Sequence, residues 1–158
     1  MELETAPVAK SEMLIRRPVS EVFEAFVDPA ITSRFWFTKG SGRLEPGKEV
    51  TWEWEMYHFS VQVKVREVEK DKRIVVEWSA YDEPSTIEWT FTARADNTTF
   101  VSITNSGFTG TGDEIVKKAL DSTEGFTFVL AGLKALLEHN VELNLVRDRF
   151  PAAAAESS

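Results

Sequence analysis

No cysteine occurs in the 158 residues. That excludes disulfide staples, thiolate catalysis and zinc held by Cys, and it fits a reducing compartment such as the cytoplasm. Histidine is nearly as scarce, with His58 and His139 alone, and neither stands at Ser-His-Asp or metal-ligand spacing. No stretch approaches the ~18 consecutive apolar residues of a membrane helix, and the opening MELETAPVAKSEM has no basic region leading into an apolar one. Positive charge is the minority sign, with 18 Lys and Arg scattered among 26 acids for a net charge of -8. Nucleic acid is gripped by a basic stripe that this chain lacks, and acidity of this degree serves solubility. A phosphate-cradling loop is missing too, since TGTG at 109–112 lacks both the Lys-Ser/Thr ending and a preceding parallel strand. These absences predict a soluble cytoplasmic protein with no cofactor, no metal, no nucleic-acid partner and no membrane insertion.

What the chain does have is two-residue alternation, running from Val50 to Ile103. Successive side chains of a strand point to opposite faces, so this pattern predicts strands with one apolar and one wet face. The strands are expected at Glu49 to Met56, Phe59 to Val68, Arg73 to Ala80, Thr86 to Ala95 and Thr99 to Ser106, separated by short polar turns. Thr51, Glu53, Glu55, Gln62, Lys64, Glu77, Glu88 and Thr90 fall on the outward phase. The inward phase carries Trp52, Trp54, Trp78 and Trp89, four of the five tryptophans. A one-residue slip would turn all of them to water, so register is firmly specified. Ahead of this meander a strand is expected at Glu12 to Arg17 and another around Arg43 to Glu45. Between them lie two short helices, one with Val22, Phe23, Phe26 and Val27 on a single face, the other opened by Asp28-Pro29 and delivering Ile31, Phe35 and Trp36. Thr111 and Glu114 have capping-box spacing, and from Gly125 the set Phe126, Val129, Leu130, Leu133, Leu137 and Val141 is a helix face turned to a sheet. Asp121 to Glu124 repeats the capping spacing, which predicts a break or kink there. With 42% hydrophobic residues the chain has the makings of one domain, 1–151 with its core in 12–150, followed by a disordered small-residue tail at 152–158.

The order of elements, with the strings VSEVFEAFVDPAITSRFW, EPGKEVTWEW, VREVEKDKRIVVEW, ITNSGF and EGFTFVLAGLKALLE, resembles the SRPBCC or START-like superfamily. Within it the chain is most similar to the family of activator of heat-shock-protein-90 ATPase homologues. The likeness runs from about Glu12 to Glu138. It implies an α+β helix-grip fold: a curved antiparallel sheet of six or seven strands wrapped on a long C-terminal helix, with two short helices after the first strand. The chain departs from the family's pattern at Phe126, where Trp often follows the glycine, and at Asn105, where His is often found.

One helix covering so wide a sheet leaves a concavity, which the inward aromatics would line. The expected site is a groove for an apolar small molecule walled by Phe35, Trp36, Trp52, Trp54, Met56, Trp78, Trp89, Asn105, Phe108, Phe126 and Leu130, with Trp36 as a gate and Asn105 as its polar contact. The competing reading is that most of the tryptophans are ordinary core. Gly125 is expected to serve close approach of helix to sheet. No catalytic set is expected: Glu53, Glu55, Glu77 and Glu88 point outward, His58 reads as a solvated turn residue and His139 as a cation at a helix C-terminus. The resemblance implies three functions, namely hydrophobic ligand binding, stimulation of a heat-shock ATPase, and polyketide-cyclase-type catalysis. Stimulation is the less favoured of these for a chain expected to lack an additional N-terminal domain. Leu136, Leu143 and Phe150 stand at heptad spacing on a helix expected to project. That is the pattern of a homodimer seam or protein contact, or, being far short of ~3–4 heptads, of edge packing.

Overall fold

The computed structural model describes residues 2–81 and 83–151. The expected tail at 152–158 lies outside them. Seven strands form one antiparallel sheet in the order β1-β7-β6-β5-β4-β3-β2. They are β1 (Ala9–Ile15), β2 (Lys39–Gly40), β3 (Glu49–Trp54), β4 (Phe59–Glu69), β5 (Arg73–Tyr81), β6 (Glu83–Ala93) and β7 (Thr99–Ser106). Between β1 and β2 come α1 (Val19–Val27) and α2 (Pro29–Thr32), and after β7 the chain forms α3 (Gly112–His139) and a short α4 (Leu145–Asp148). This is the helix-grip arrangement, with α3 laid across the concave face of the sheet.

The alternation sets the inward faces as expected. Val50, Trp52, Trp54, Val61, Val63, Val65, Ile74, Val76, Trp78, Ile87, Trp89, Phe91, Val101 and Ile103 are all buried. Asp28 caps α2 by accepting the Ala30 amide at 3.0 Å, and Thr111 caps α3 by accepting that of Glu114 at 3.2 Å. From α3 the buried set Phe126, Val129, Leu130, Leu133 and Leu136 faces the sheet.

Several boundaries differ from expectation. The first strand is Ala9–Ile15, because its partner β7 offers pairing from Asn105 opposite Ala9 to Thr99 opposite Ile15. The short strand is Lys39–Gly40, paired with Glu53 and Trp52, and 43–45 is irregular. The first meander strand stops at Trp54, since Glu55–Tyr57 tightens into a 3-10 turn ending at His58 in the left-handed conformation (φ 50°). No break interrupts α3 at Asp121 to Glu124: Thr123 instead returns its hydroxyl to the Ala119 carbonyl at 2.8 Å, and one helix of 28 residues results. Nor does that helix project. It ends at Asn140 (φ 53°), whose amide caps the Leu136 and Ala135 carbonyls, and the chain turns away into α4. Leu136 is buried core while Leu143 and Phe150 lie past the turn, so the heptad stripe does not form.

Side chains and turns meet both lateral edges of the sheet. The Leu14 carbonyl accepts from Lys134 Nζ at 2.9 Å and the Arg16 amide donates to Glu138 at 3.0 Å, these two helix residues being themselves paired at 2.7 Å. Burial works against the Glu138 carboxylate, but the Arg16 amide and the Lys134 ammonium outweigh it and hold the carboxyl below its ordinary range. At the opposite edge, Thr38 and Ser41 bond the β3 backbone at Glu53, Thr51 and Glu55.

Candidate functional site

The middle of the concave face is solid. Trp36, carried in by the turn after α2, sits with its ring 4.8 Å from Trp52, 6.0 Å from Trp78, 6.1 Å from Trp54, 6.2 Å from Trp89 and 5.6 Å from Phe126. The hollow expected among the sheet tryptophans is thus filled by the fifth. Aromatic pairs at these separations add to what burial alone contributes.

Open space remains to one side of this cluster, as a cavity of about 360 Å³. That is within the size range of small-molecule sites. Its inner wall is Trp36, Trp54, Trp78 and Phe126; Tyr57, Phe59, Ala80 and Tyr81 come from the ends of the meander strands, Asp121, Ser122 and Gly125 from α3, and Val146 and Phe150 from the last segment. A smaller cavity of about 110 Å³ lies on the far side of Trp36, bordered by Phe35, Met56 and Gly132 among others. Trp36 thereby borders both voids.

Helix α3 leaves the rim of the larger space without a side chain at one exposed residue, Gly125. A Cβ built on Gly125 would meet nothing within 4 Å. The expectation that Gly125 permits close helix-sheet approach is therefore corrected: the close approach occurs at Gly132, where a Cβ would lie 3.3 Å from the Phe35 carbonyl oxygen. The far end of the cavity is bordered by the segment after α3. Tyr57 donates its hydroxyl to the Val146 carbonyl and to that of Arg147 at 2.9 Å. Phe150 meets the Tyr57 ring edge-on at 6.1 Å, and Arg149 is ion-paired with Glu124.

Polar groups converge on one corner. Tyr81 donates to Asp121 at 2.6 Å, and Ser122 donates to the Asn105 side-chain oxygen at 2.9 Å. Burial, reinforced by the neighbouring carboxylate, pushes the Tyr81 phenol far above its usual range, and burial also raises that of Tyr57. Both phenols hold their protons at neutral pH.

Of the eleven residues expected to form the site, Trp36, Trp54, Trp78 and Phe126 line this cavity. Trp52, Trp89 and Leu130 are sealed in the core, Phe35 and Met56 border the smaller void, and Phe108 packs with Ala9 and Ala119 in a separate cluster. Asn105 is wholly buried and commits its amide to the protein, donating to Ser85 at 3.0 Å and the Thr86 carbonyl at 2.9 Å while accepting from Ser122. It ties α3 to the sheet and is not among the residues that line the cavity. Tyr81 escaped the alternation because the β5–β6 register shifts between Trp78 and Tyr81, which re-aims its side chain. Asp121 and Ser122 were legible four residues before Gly125 and Phe126 respectively on the helical repeat, but capping spacing claimed them. Val146 and Phe150 depend on the turn at Asn140. His58 is exposed in its turn and His139 lies in the last turn of α3.

Among the described residues no helix is long and apolar enough to cross a membrane. No curated protein matches the chain. Solved structures do. A protein from Staphylococcus saprophyticus, SSP2350, is 34% identical over 87% of this chain and 96% of its own, with a TM-score of 0.75. The Aha1 protein of Colwellia psychrerythraea, solved as a dimer, is 18% identical over 84% of this chain and 97% of its own at TM-score 0.71. CalU16 from Micromonospora echinospora is 15% identical, with 96% of each chain covered and a TM-score of 0.67. The model of the Activator of Hsp90 ATPase homolog 1-like protein family, AHSA1, matches residues 16–138. That span holds α1, α2, the meander strands and all but the last residue of α3, and the chain is a member of the AHSA1 family.

Proposed function

We infer that the chain binds a small apolar molecule in the cavity beside Gly125 and does so without catalysing a reaction. The observation that carries this reading is Gly125 itself. Glycine inside a helix costs ~1 kcal/mol relative to alanine, alanine would fit, and yet glycine stands at this exposed position on the cavity's rim. Eight aromatic side chains in the lining supply most of the contact, and the polar corner supplies orientation. The non-catalytic part rests on the lining: its titratable groups are Tyr57, Tyr81 and Asp121, of which both phenols are held protonated, so neither is a base at neutral pH. Cytoplasmic action as a single folded unit belongs to the same proposal. The family resemblance keeps a heat-shock ATPase contact and a cyclase activity as the competing functions.

The test is titration with N-phenyl-1-naphthylamine, a neutral apolar fluorophore, read as quenching of tryptophan emission. Saturable quenching is expected, lost in Gly125→Leu while the fold is retained by circular dichroism. Quenching that never saturates, or that Gly125→Leu leaves unchanged, would overturn the reading. Turnover of an ester or polyketide-like substrate that disappears in Asp121→Asn or His58→Ala would overturn its non-catalytic part.

A further inference from the structure

The hydrogen bonds around the cavity fix which way every lining hydroxyl points its proton. Tyr57 faces two backbone carbonyls, at Val146 and Arg147, which can only accept. Tyr81 faces the Asp121 carboxylate. Ser122 faces the Asn105 amide, and the orientation of that amide is set by its other neighbours. The Thr86 carbonyl can only accept, so the nitrogen of Asn105 must lie toward it at 2.9 Å, leaving its oxygen toward Ser122. All three lining hydroxyls are therefore donors to the protein, and what they present to the cavity is lone pairs. The second oxygen of Asp121 adds another acceptor. The indole nitrogen of Trp78 has no partner but less than 1 Å² of accessible surface. The nearby cation, Arg149, is ion-paired with Glu124 and has its guanidinium 4.4 Å from the Phe150 ring centre.

Resting on the reading of this cavity as a ligand site, we propose that it selects apolar molecules whose polar end is a hydrogen-bond donor, a hydroxyl or an amine, and rejects those ending in a carboxylate. An alcohol, phenol or ammonium group meets acceptors at Tyr81, Ser122 and Asp121. A carboxylate would leave water to face lone pairs and a like charge, with its own acceptors unmatched. Fatty-acid-like ligands are thus discriminated against by the chemistry of one corner, although the rest of the wall would suit their chains.

Displacement of bound N-phenyl-1-naphthylamine by 2-naphthol, 1-naphthylmethylamine and 2-naphthoate at neutral pH tests this with one ring system and three heads. The naphthol and the amine should displace at concentrations at least about tenfold below the naphthoate, a gap of about 1.4 kcal/mol. Asp121→Asn should shrink the gap between amine and naphthoate several-fold. Glu69→Gln removes the same charge at the opposite end of β4 from Phe59 and should leave the gap intact, which separates the local corner from the overall charge of -8. Equal displacement by all three, best displacement by naphthoate, or a gap that responds equally to both variants would overturn the donor selectivity while the cavity reading stands. A probe that does not bind at all overturns both.

Discussion

A Cβ added at Gly125 would meet nothing within 4 Å, whereas one added at Gly132, seven residues on, would press on the Phe35 carbonyl oxygen and side chain at 3.3 and 3.4 Å. The same substitution should therefore act differently at the two sites of one helix. Gly125→Ala removes the helix penalty without a clash and should stabilise by roughly 0.5–1 kcal/mol. Gly132→Ala must displace backbone to gain the same term, and should fall at least about 1 kcal/mol below it. Urea titration of both variants checks the pair; equal midpoints would mean that the void at Gly125 is not there. Asn105 makes a second residue-scale case. Asn105→Leu keeps the volume but strips partners from Ser85, Thr86 and Ser122. Each group stranded in the core costs ~1–3 kcal/mol, so the variant should lose stability outright rather than lose affinity for polar ligands alone.

At the scale of elements, β6 tests the phase of the sheet. Trp89 is fully buried and Trp89→Ala should cost ~3–5 kcal/mol. Its neighbour Glu88 lies on the outer face beside Arg73, and Glu88→Ala should barely move the denaturation midpoint, since exposed ion pairs contribute little. Such contrasts were legible because the two-residue repeat is a local property: one wrong step turns a tryptophan to water. The same logic failed wherever geometry departs from the repeat. Tyr81 lies beyond a register shift, and the fate of Leu143 and Phe150 hangs on Asn140 adopting a left-handed conformation, which no periodicity encodes. Trp36 was legible as a buried aromatic but not as the filler of the central hollow, since its placement is a tertiary fact about α2 and three strands. The segment from Asn140 onward is held to the body by Tyr57, by the Arg149–Glu124 pair, by Arg34 on Asn140 and Glu142, and by Val146 against the core. Tyr57→Phe should speed amide hydrogen exchange across residues 141–150 while lowering global stability by only about 1 kcal/mol. Unchanged exchange there would mean that side chains of α4 hold the segment unaided.

For the molecule as a whole, occupancy and acidity should both register in the unfolding equilibrium. A ligand at ~100 times its dissociation constant adds about 2.7 kcal/mol to the stability, so a saturating naphthol should raise the melting temperature of the native chain and leave that of Gly125→Leu unmoved. Glu138 sets a pH response of defined sign. Its carboxyl is depressed in the folded state, so its stabilisation is fully present above the ordinary carboxylate value of ~4.3 and is lost as pH falls through the lower folded value. Glu138→Gln should flatten the acid limb of a stability profile. The pair that produces this response also meets the free margin of β1 at its C-terminal end, with Lys134 on the Leu14 carbonyl and Glu138 on the Arg16 amide just beyond. Together they present to the strand the donor and acceptor that a neighbouring strand would present. Unpaired strand margins template cross-β association between chains. Protonating Glu138 weakens its hold on the Arg16 amide at one end of this margin, so acid strong enough to reach its depressed carboxyl should favour association of chains along Ala9–Ile15, and a proline at Leu14 or a shift back to neutral pH should suppress it.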